Sequence, residues 1–211
     1  MHVDYLLPKE KPKASIIFLH GLGFSGRSLI PLARSLALEQ PVRMIFPSAP
    51  KRRVQAQRNN IPTRAWFNIS SWDLATAQVT GLFESISAIE SLIAKEAEHG
   101  IPEERIVLVG FSQGGSLALA LGFSHEVAGV AALSAFLPKH AGFRGKPRMR
   151  LAFMTRGEKD PLVPLAFSRD TAMWLEEKGV LVTWRAYPTG HEVGSKEAQD
   201  LGQWLRAVLG S

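Results

Sequence analysis

The stretch Ile106-Val-Leu-Val-Gly-Phe-Ser-Gln-Gly-Gly-Ser-Leu-Ala-Leu119 is the part of this chain that is most informative about its fold. Its first residues form a continuous apolar run, typical of a strand that is buried on both faces, and its last residues are small and compatible with a helix. Between them lies Gly110-Phe-Ser-Gln-Gly114, a G-x-S-x-G pattern. A strand, a tight turn and a helix in this order predict a nucleophile elbow, with Ser112 as the nucleophile. A Gly-rich turn that only tightens a strand–helix junction is the alternative.

The rest of the chain repeats the alternation of strand and helix. Short apolar runs indicate strands, and apolar residues spaced three or four apart indicate helices. This alternation predicts an α/β fold with a mostly parallel, doubly wound sheet. The expected strands are 16–19, 42–46, 106–109, 127–133, 151–154 and 180–184, and the expected helices are 27–39, 78–98, 114–123, 165–178 and 198–209. Residues 47–77 show no confident element, and a connection of that length is expected to be a functional loop.

Length and composition restrict the class of protein. With 211 residues, of which 45% are hydrophobic and 21% charged, the chain is expected to fold as one domain over 1–211. It has no cysteine, which excludes disulfides, thiolate zinc sites, iron–sulfur clusters and a cysteine nucleophile. The N-terminus does not read as a secretion signal, and no apolar run is long enough to span a bilayer, so we expect a cytoplasmic protein. The net charge of +6 permits an anionic partner, but a basic surface that aids solubility is the simpler interpretation.

A serine nucleophile needs a general base. In this kind of fold the serine comes first along the chain, then the acid, then the histidine. Three histidines follow Ser112, of which His125 comes just after the elbow helix and His140 lies in a basic loop. His191 follows the last expected strand, in the turn Tyr187-Pro-Thr-Gly-His-Glu192. This position at the carboxyl end of a strand favours His191 as the base.

The base in turn needs an acid that orients it. Asp160 follows the expected strand at 151–154, whereas Asp170 falls within an expected helix. Asp160 is therefore the expected acid. Glu158 is its nearest rival, and a plain Asp-Pro turn is the alternative reading of this segment.

Two backbone N–H groups are expected to form an oxyanion hole. One belongs to Gln113, which follows the nucleophile, and the other to a loop after an early strand. The stretch Leu19-His-Gly-Leu-Gly-Phe-Ser-Gly26 fits that loop, and Leu22 is the candidate donor within it. A Gly-rich turn without a catalytic role remains the alternative for this segment.

Four segments together resemble the carboxylesterase / acyl-protein thioesterase / lysophospholipase family. They lie in the same order along nearly the whole chain: Leu19-His-Gly-Leu-Gly23, Pro47-Ser-Ala-Pro50 with Arg64-Ala-Trp-Phe-Asn-Ile69, Gly110-Phe-Ser-Gln-Gly-Gly115, and Asp160-Pro-Leu-Val-Pro164 with Gly190-His-Glu192. The resemblance implies a compact α/β-hydrolase fold without a large cap domain and a Ser-His-Asp triad. It also implies no cofactor, and esters or thioesters of fatty acids as substrates.

The resemblance also places the Trp-Phe stretch in a loop beside the acyl site. An apolar wall for an acyl chain is therefore expected, with packing of the loop on the sheet edge as the alternative for each residue. The expected wall residues are Trp66, Phe67, Ile69, Trp72, Leu162 and Val163. The chain departs from the family at Phe24-Ser25, where an acidic residue is common, at Asn68, where Asp is usual, and at Arg156, where His is frequent. These departures leave the substrate preference open.

The leading interpretation is a serine hydrolase of carboxylic esters, with acyl thioesters or lysophospholipids as further substrate classes. A catalytically silent binding module and a peptidase are the alternatives. We expect an ester or acylated substrate, no metal, no nucleic acid and no stable membrane insertion, and the sequence leaves a homodimer open. As a hypothesis, the basic segments Lys51-Arg-Arg53 with Arg58, and Lys139 to Arg150, attract anionic head groups or acidic substrates to the site. A solvated basic surface is the simpler alternative.

Overall fold

A computed structural model describes residues 1–57, 61–138, 143 and 145–210 of the chain. Its centre is a seven-stranded sheet. In chain order the strands are β1 (His2–Leu6), β2 (Ala14–Leu19), β3 (Val42–Ser48), β4 (Ile106–Phe111), β5 (Gly129–Leu133), β6 (Leu151–Gly157) and β7 (Leu181–Tyr187). Neighbouring strands are parallel except for the β1–β3 pair at one edge. The expected mostly parallel α/β sheet is confirmed.

The order of the strands brings two loops together. Across the sheet the order is β1-β3-β2-β4-β5-β6-β7, so the chain moves outward from β2 to β3 and returns to place β4 on the other side of β2. In such sheets the carboxyl ends at the reversal form the usual binding crevice. Leu19, at the end of β2, pairs with Gly110 near the end of β4. The loop after β2 and the turn after β4 therefore emerge side by side.

Helices cover both faces of the sheet. They are α1 (Ile30–Ser35), α2 (Leu82–Glu98), α3 (Gln113–Ser124), α4 (Leu165–Glu177) and α5 (Ser195–Leu209). Because side chains alternate along a strand, Ile17 and Leu19 of β2 enter one core layer, whereas Ile16 and Phe18 enter the other. The first layer includes residues of α2, α3 and α4, and the second includes residues of α1 and α5. This is a doubly wound arrangement, and the described residues include no large cap domain.

The long connection between β3 and α2 contains little regular structure. Two short antiparallel ladders cross it, Lys51–Arg52 with Thr63–Arg64 and Asn68–Ile69 with Val79–Thr80. The loop nevertheless packs on the body of the protein, because Ala65, Trp66 and Phe67 are all buried. It is a packed loop beside the sheet, rather than a separate unit.

Three elements differ from the sequence-based expectation. The helix expected at 78–98 starts only at Leu82, because Val79–Thr80 pairs with Asn68–Ile69 instead. β1 was not predicted, because its five residues include His2 and Asp4 and form no apolar run. The helix expected at 27–39 is shorter: a 3₁₀ turn occupies Gly26–Leu29, and α1 starts beside Pro31 and ends at Ser35. Proline at the first helical positions favours a start there. In the part of the chain that the structure describes, no helix has the length and apolar character needed to cross a bilayer.

Candidate active site

Ser112 occupies a strained turn between β4 and α3. Its backbone has φ 52° and ψ −118°, which is unusual for a residue with a side chain. The two glycines of the motif make this turn feasible. A Cβ on Gly110 would overlap the backbone of Gly114, and a Cβ on Gly114 would overlap the carbonyl of Leu19. The G-x-S-x-G pattern is thus explained by backbone packing that only glycine permits.

The structure brings Ser112, His191 and Asp160 into one chain of hydrogen bonds. The Ser112 hydroxyl donates to Nε2 of His191 at 2.9 Å, and the His191 Nδ1–H donates to Oδ2 of Asp160 at 2.7 Å. The three residues come from the turn after β4, the loop after β7 and the loop after β6, all at carboxyl ends of parallel strands. The ring of Phe111 packs against the His191 imidazole, with a centroid distance of 4.9 Å.

The environment of Asp160 favours its ionised form. Burial alone would raise the pKa of this carboxyl, but the hydrogen bond to His191 and the N–H groups of Val163 and Leu162 outweigh burial, so the pKa is lowered. These N–H groups donate to Oδ1 at 3.0 and 2.8 Å. Both carboxylate oxygens therefore have partners, which fixes the orientation of the side chain.

The alternative acids and bases of the sequence reasoning lie elsewhere. The ring of His125 contacts Glu103 at 2.9 Å and Glu90 at 3.3 Å, and none of the three lines the cavity at Ser112. Asp170 belongs to α4, and the Glu158 side chain is exposed. His140 lies outside the described residues.

The two expected oxyanion donors flank Ser112. Gln113 is the first residue of α3, where backbone N–H groups have no partner within the helix and the helix dipole favours negative charge. Leu22 lies in the loop after β2 and lines the same cavity as Ser112. Within the described part of the chain, neither N–H is engaged in a hydrogen bond. Neither N–H is therefore used elsewhere in the described structure, and both residues line the cavity at Ser112.

A buried cluster of hydrogen bonds connects Gln113 to the loop that contains Leu22. The Gln113 side chain accepts from the N–H of Trp66 at 2.7 Å and donates to the carbonyl of Phe67 at 2.8 Å. The Trp66 indole donates to the carbonyl of His20 at 2.8 Å. Nδ1–H of His20 donates to the Gly21 carbonyl, and Nε2 accepts from the N–H of Ala49. Burial, opposed by the bond to Gly21 and aided by Arg64, lowers the pKa of His20 to about 4, which keeps the ring neutral.

An apolar cavity of about 410 Å³ opens at Ser112. Five of the six residues expected to form its wall do line it: Phe67, Ile69, Trp72, Leu162 and Val163. Sequence reasoning missed several others, because no pattern in the sequence shows which side chains of the surrounding loops face the cavity. They include Phe24, Gln57, Leu74, Phe111, Ser116, Ser134, Ala135 and Phe136.

Trp66 is the sixth residue that was expected in the wall, and this prediction is wrong. It does not line the cavity and is fully buried, with its ring 5.0 Å from that of His20. Its indole N–H and backbone N–H connect the loop after β2 to the start of α3, as described above. Trp66 therefore packs behind the site and connects Gln113 to the loop after β2.

The other charged residues in the described ranges form no metal site, and the described residues of the basic segments do not line the cavity at Ser112. No group of three or more His, Asp or Glu side chains in the described ranges could hold a metal ion. Lys51, Arg52 and Arg53 do not line the cavity, and Arg148 pairs with Glu126 at 3.4 Å. Arg58 and Lys139 lie outside the described residues.

Comparison with known proteins gives one consistent family. A family model described as Phospholipase/Carboxylesterase matches residues 5–209. The acyl-protein thioesterase 1 of Mycosarcoma maydis is 35% identical over 94% of this chain and 92% of its own length. The acyl-protein thioesterase 1 of Saccharomyces cerevisiae is 30% identical over 96% of both chains.

Solved structures agree on the fold. The Arabidopsis thaliana SOBER1 structure superposes with a TM-score of 0.84 at 25% identity, covering 93% of this chain and 99% of that chain. The Zea mays acyl-protein thioesterase 2 structure superposes with a TM-score of 0.85 at 24% identity, covering 99% of both. At this level of identity the second likeness concerns the fold alone.

Proposed function

The chain belongs to the phospholipase/carboxylesterase family of α/β-hydrolases, and from this premise we propose that it hydrolyses acyl esters and thioesters through Ser112, His191 and Asp160. The enzyme is of the serine hydrolase type. The observation that carries the proposal is the unbroken chain of hydrogen bonds from Asp160 through His191 to Ser112, at 2.7 and 2.9 Å, beside an apolar cavity. We propose one catalytic domain over 1–211, because the two core layers of the described residues lie on the two faces of one sheet.

The first half of the reaction transfers the acyl group to the enzyme. His191 Nε2 removes the proton from Ser112 as Oγ attacks the acyl carbonyl carbon, and Asp160 stabilises the resulting imidazolium. The carbonyl oxygen becomes an oxyanion, to which the N–H groups of Leu22 and Gln113 donate. Collapse of this intermediate breaks the bond to the leaving alcohol or thiol, which takes the proton from His191. The product is an ester of Ser112.

The second half restores the enzyme. Water donates a proton to His191 Nε2 and attacks the ester of Ser112, forming a second oxyanion at the same two N–H groups. Its collapse releases the carboxylic acid, and Ser112 regains the proton from His191. No cofactor takes part in this sequence of steps.

The cavity supports an acyl group as the part of the substrate that is recognised. Its wall is largely aromatic and aliphatic, and burial of each methylene there contributes about 0.8 kcal/mol. Two curated relatives are named acyl-protein thioesterases, which supports a thioester substrate, and the family description supports a phospholipid ester. The proposed reaction uses residues of one copy of the chain.

The test is a panel of substrates with one acyl group and different leaving groups. A palmitoylated peptide thioester, a lysophospholipid, a p-nitrophenyl ester and the matching anilide are given to the wild type and to Ser112→Ala. Turnover of the ester or thioester by the wild type, with loss of about 10⁶-fold in kcat in the variant, supports the proposal. Faster turnover of the anilide would favour a peptidase, and no turnover of any substrate would favour a silent binding module.

A further inference from the structure

Arg156 is a buried cation next to the loop that carries Asp160. It is the penultimate residue of β6, and its exposed fraction is 8%. Within the described residues, no carboxylate lies within ion-pair distance of its guanidinium. Burying a cation costs free energy unless its N–H groups find hydrogen-bond acceptors, so other groups must accept from the guanidinium.

Three backbone carbonyls of one loop receive the guanidinium N–H groups. Nε–H donates to the carbonyl of Val163 at 3.2 Å, Nη1–H to that of Glu158 at 3.3 Å, and Nη2–H to that of Asp160 at 3.4 Å. All three nitrogens of the planar group are therefore used on the same turn. A lysine ammonium is a point charge and cannot reproduce this planar fork.

The same turn is held from its other side by Asp160. The carboxylate accepts the N–H groups of Leu162 and Val163, as described for the site. Val163 is thus bound twice, through its N–H to Asp160 and through its carbonyl to Arg156. Leu162 and Val163 also line the cavity at Ser112. The turn connects the carboxylate, the guanidinium and part of the apolar wall.

We propose that Arg156 is a positioning residue that holds the 158–163 turn, and through it sets both the orientation of the Asp160 carboxylate and the Leu162–Val163 part of the acyl-binding wall. The inference rests on the proposed function, because it assigns Arg156 a part in that reaction. Arg156 does not contact the reacting atoms. Its effect is to limit the motion of a loop whose displacement by about 1 Å would cost about 10²-fold in rate.

The first test compares Arg156→Ala and Arg156→Lys with Lys159→Ala, an exposed cation on the same turn. We expect kcat for a p-nitrophenyl ester to fall about 10²-fold in both Arg156 variants and to stay at the wild-type value in Lys159→Ala. Added guanidinium at a non-denaturing concentration should restore part of the activity of Arg156→Ala, whereas ammonium should not. A packing role alone would give no such selective rescue. Full activity in Arg156→Lys, or no rescue of folded Arg156→Ala, would overturn the proposal.

The second test does not depend on turnover. Amide hydrogen exchange at Leu162 and Val163 should be faster in Arg156→Lys than in the wild type, with exchange in the sheet unchanged. Equal exchange at the turn would overturn the inference even in an active enzyme. Faster exchange together with an inactive wild type would instead contradict only the proposed function. If Arg156→Ala does not fold, Arg156→Lys and Arg156→His serve for both measurements.

Discussion

At the scale of single residues, the site depends on hydrogen bonds that leave little freedom to each side chain. Asp160 illustrates this, because one oxygen accepts from His191 and the other accepts from two backbone N–H groups. Its neighbour Glu158 has the same charge but an exposed side chain. Replacing each of the two carboxylates by its amide therefore removes the same charge at two different positions, and the two variants can be compared directly.

We expect Asp160→Asn to lower kcat by about 10⁴-fold while the fold is retained, because an amide no longer selects the His191 tautomer that accepts from Ser112. Glu158→Gln should leave kcat unchanged. Steady-state kinetics of the two variants, with circular dichroism as the check on folding, measures the difference. A larger loss in Glu158→Gln than in Asp160→Asn would reassign the acid.

Sequence reasoning at this scale identified residues with a fixed place relative to a strand end. Ser112 and Asp160 each follow a buried strand, His191 follows the edge strand β7, and the structure brings the three together. Trp66 shows that the direction of a side chain within a loop cannot be predicted in this way. Adjacent loop residues point in different directions, so Phe67 lines the cavity whereas Trp66 is buried behind it. Only the path of the folded loop decides between the two.

At the scale of elements, the loop from β3 to α2 carries one side of the apolar wall. Trp72 belongs to this loop, lines the cavity and is 52% exposed, so it lies at the rim. An acyl chain that extends to the rim would bury methylenes against the indole, whereas a short one would not reach it.

We therefore expect Trp72→Ala to lower kcat/KM for a long-chain p-nitrophenyl ester by about tenfold, equivalent to one or two methylenes losing ~0.8 kcal/mol each, and to leave the acetate ester unaffected. The measurement is a chain-length series. Phe83→Ala is the control, because Phe83 is exposed on α2 and does not line the cavity. An equal effect on short and long esters would remove Trp72 from the acyl site.

Strands were predictable from sequence where the chain carries a nearly continuous apolar run. All six residues of β2 are buried, and its apolar run is continuous. β1 was missed because its five residues include His2 and Asp4 and form no apolar run, whereas the edge strand β7 was predicted from the run Val180-Leu-Val-Thr-Trp184. The length of α1 was overestimated, because apolar spacing continues through a 3₁₀ turn that only the chain geometry distinguishes.

At the scale of the whole molecule, stability depends on a carboxyl group that the reaction does not use. Glu197 of α5 is 1% exposed, and Thr155 donates to its Oε1 at 2.5 Å while Oε2 has no partner in the described structure. Burial raises the pKa of Glu197 from 4.5 to about 7, although the hydrogen bonds from Thr155 and the Gly194 N–H lower it in part. The folded state therefore binds a proton that the unfolded state has lost between these two pH values.

The sign of the effect follows from this difference. The stabilisation is fully present below pH 4.5 and is lost as the pH rises to about 7, amounting to about 3 kcal/mol at most. Glu197→Gln should remove this pH dependence, so its urea midpoint should decline less than that of the wild type between about pH 5 and pH 8. Glu176→Gln, an exposed change, should follow the wild type. Parallel curves for Glu197→Gln and the wild type would contradict the expectation.

The role of Ser112 as the nucleophile can be tested by trapping the acyl-enzyme. The protein is mixed with a p-nitrophenyl ester, quenched within one turnover, digested and mapped by mass spectrometry. We expect one acyl group per chain on the peptide that contains Ser112, and none there in Ser112→Ala, which should also lose turnover. Ester hydrolysis that continues in Ser112→Ala, or an acyl group that forms on another residue at the rate of turnover, would contradict it.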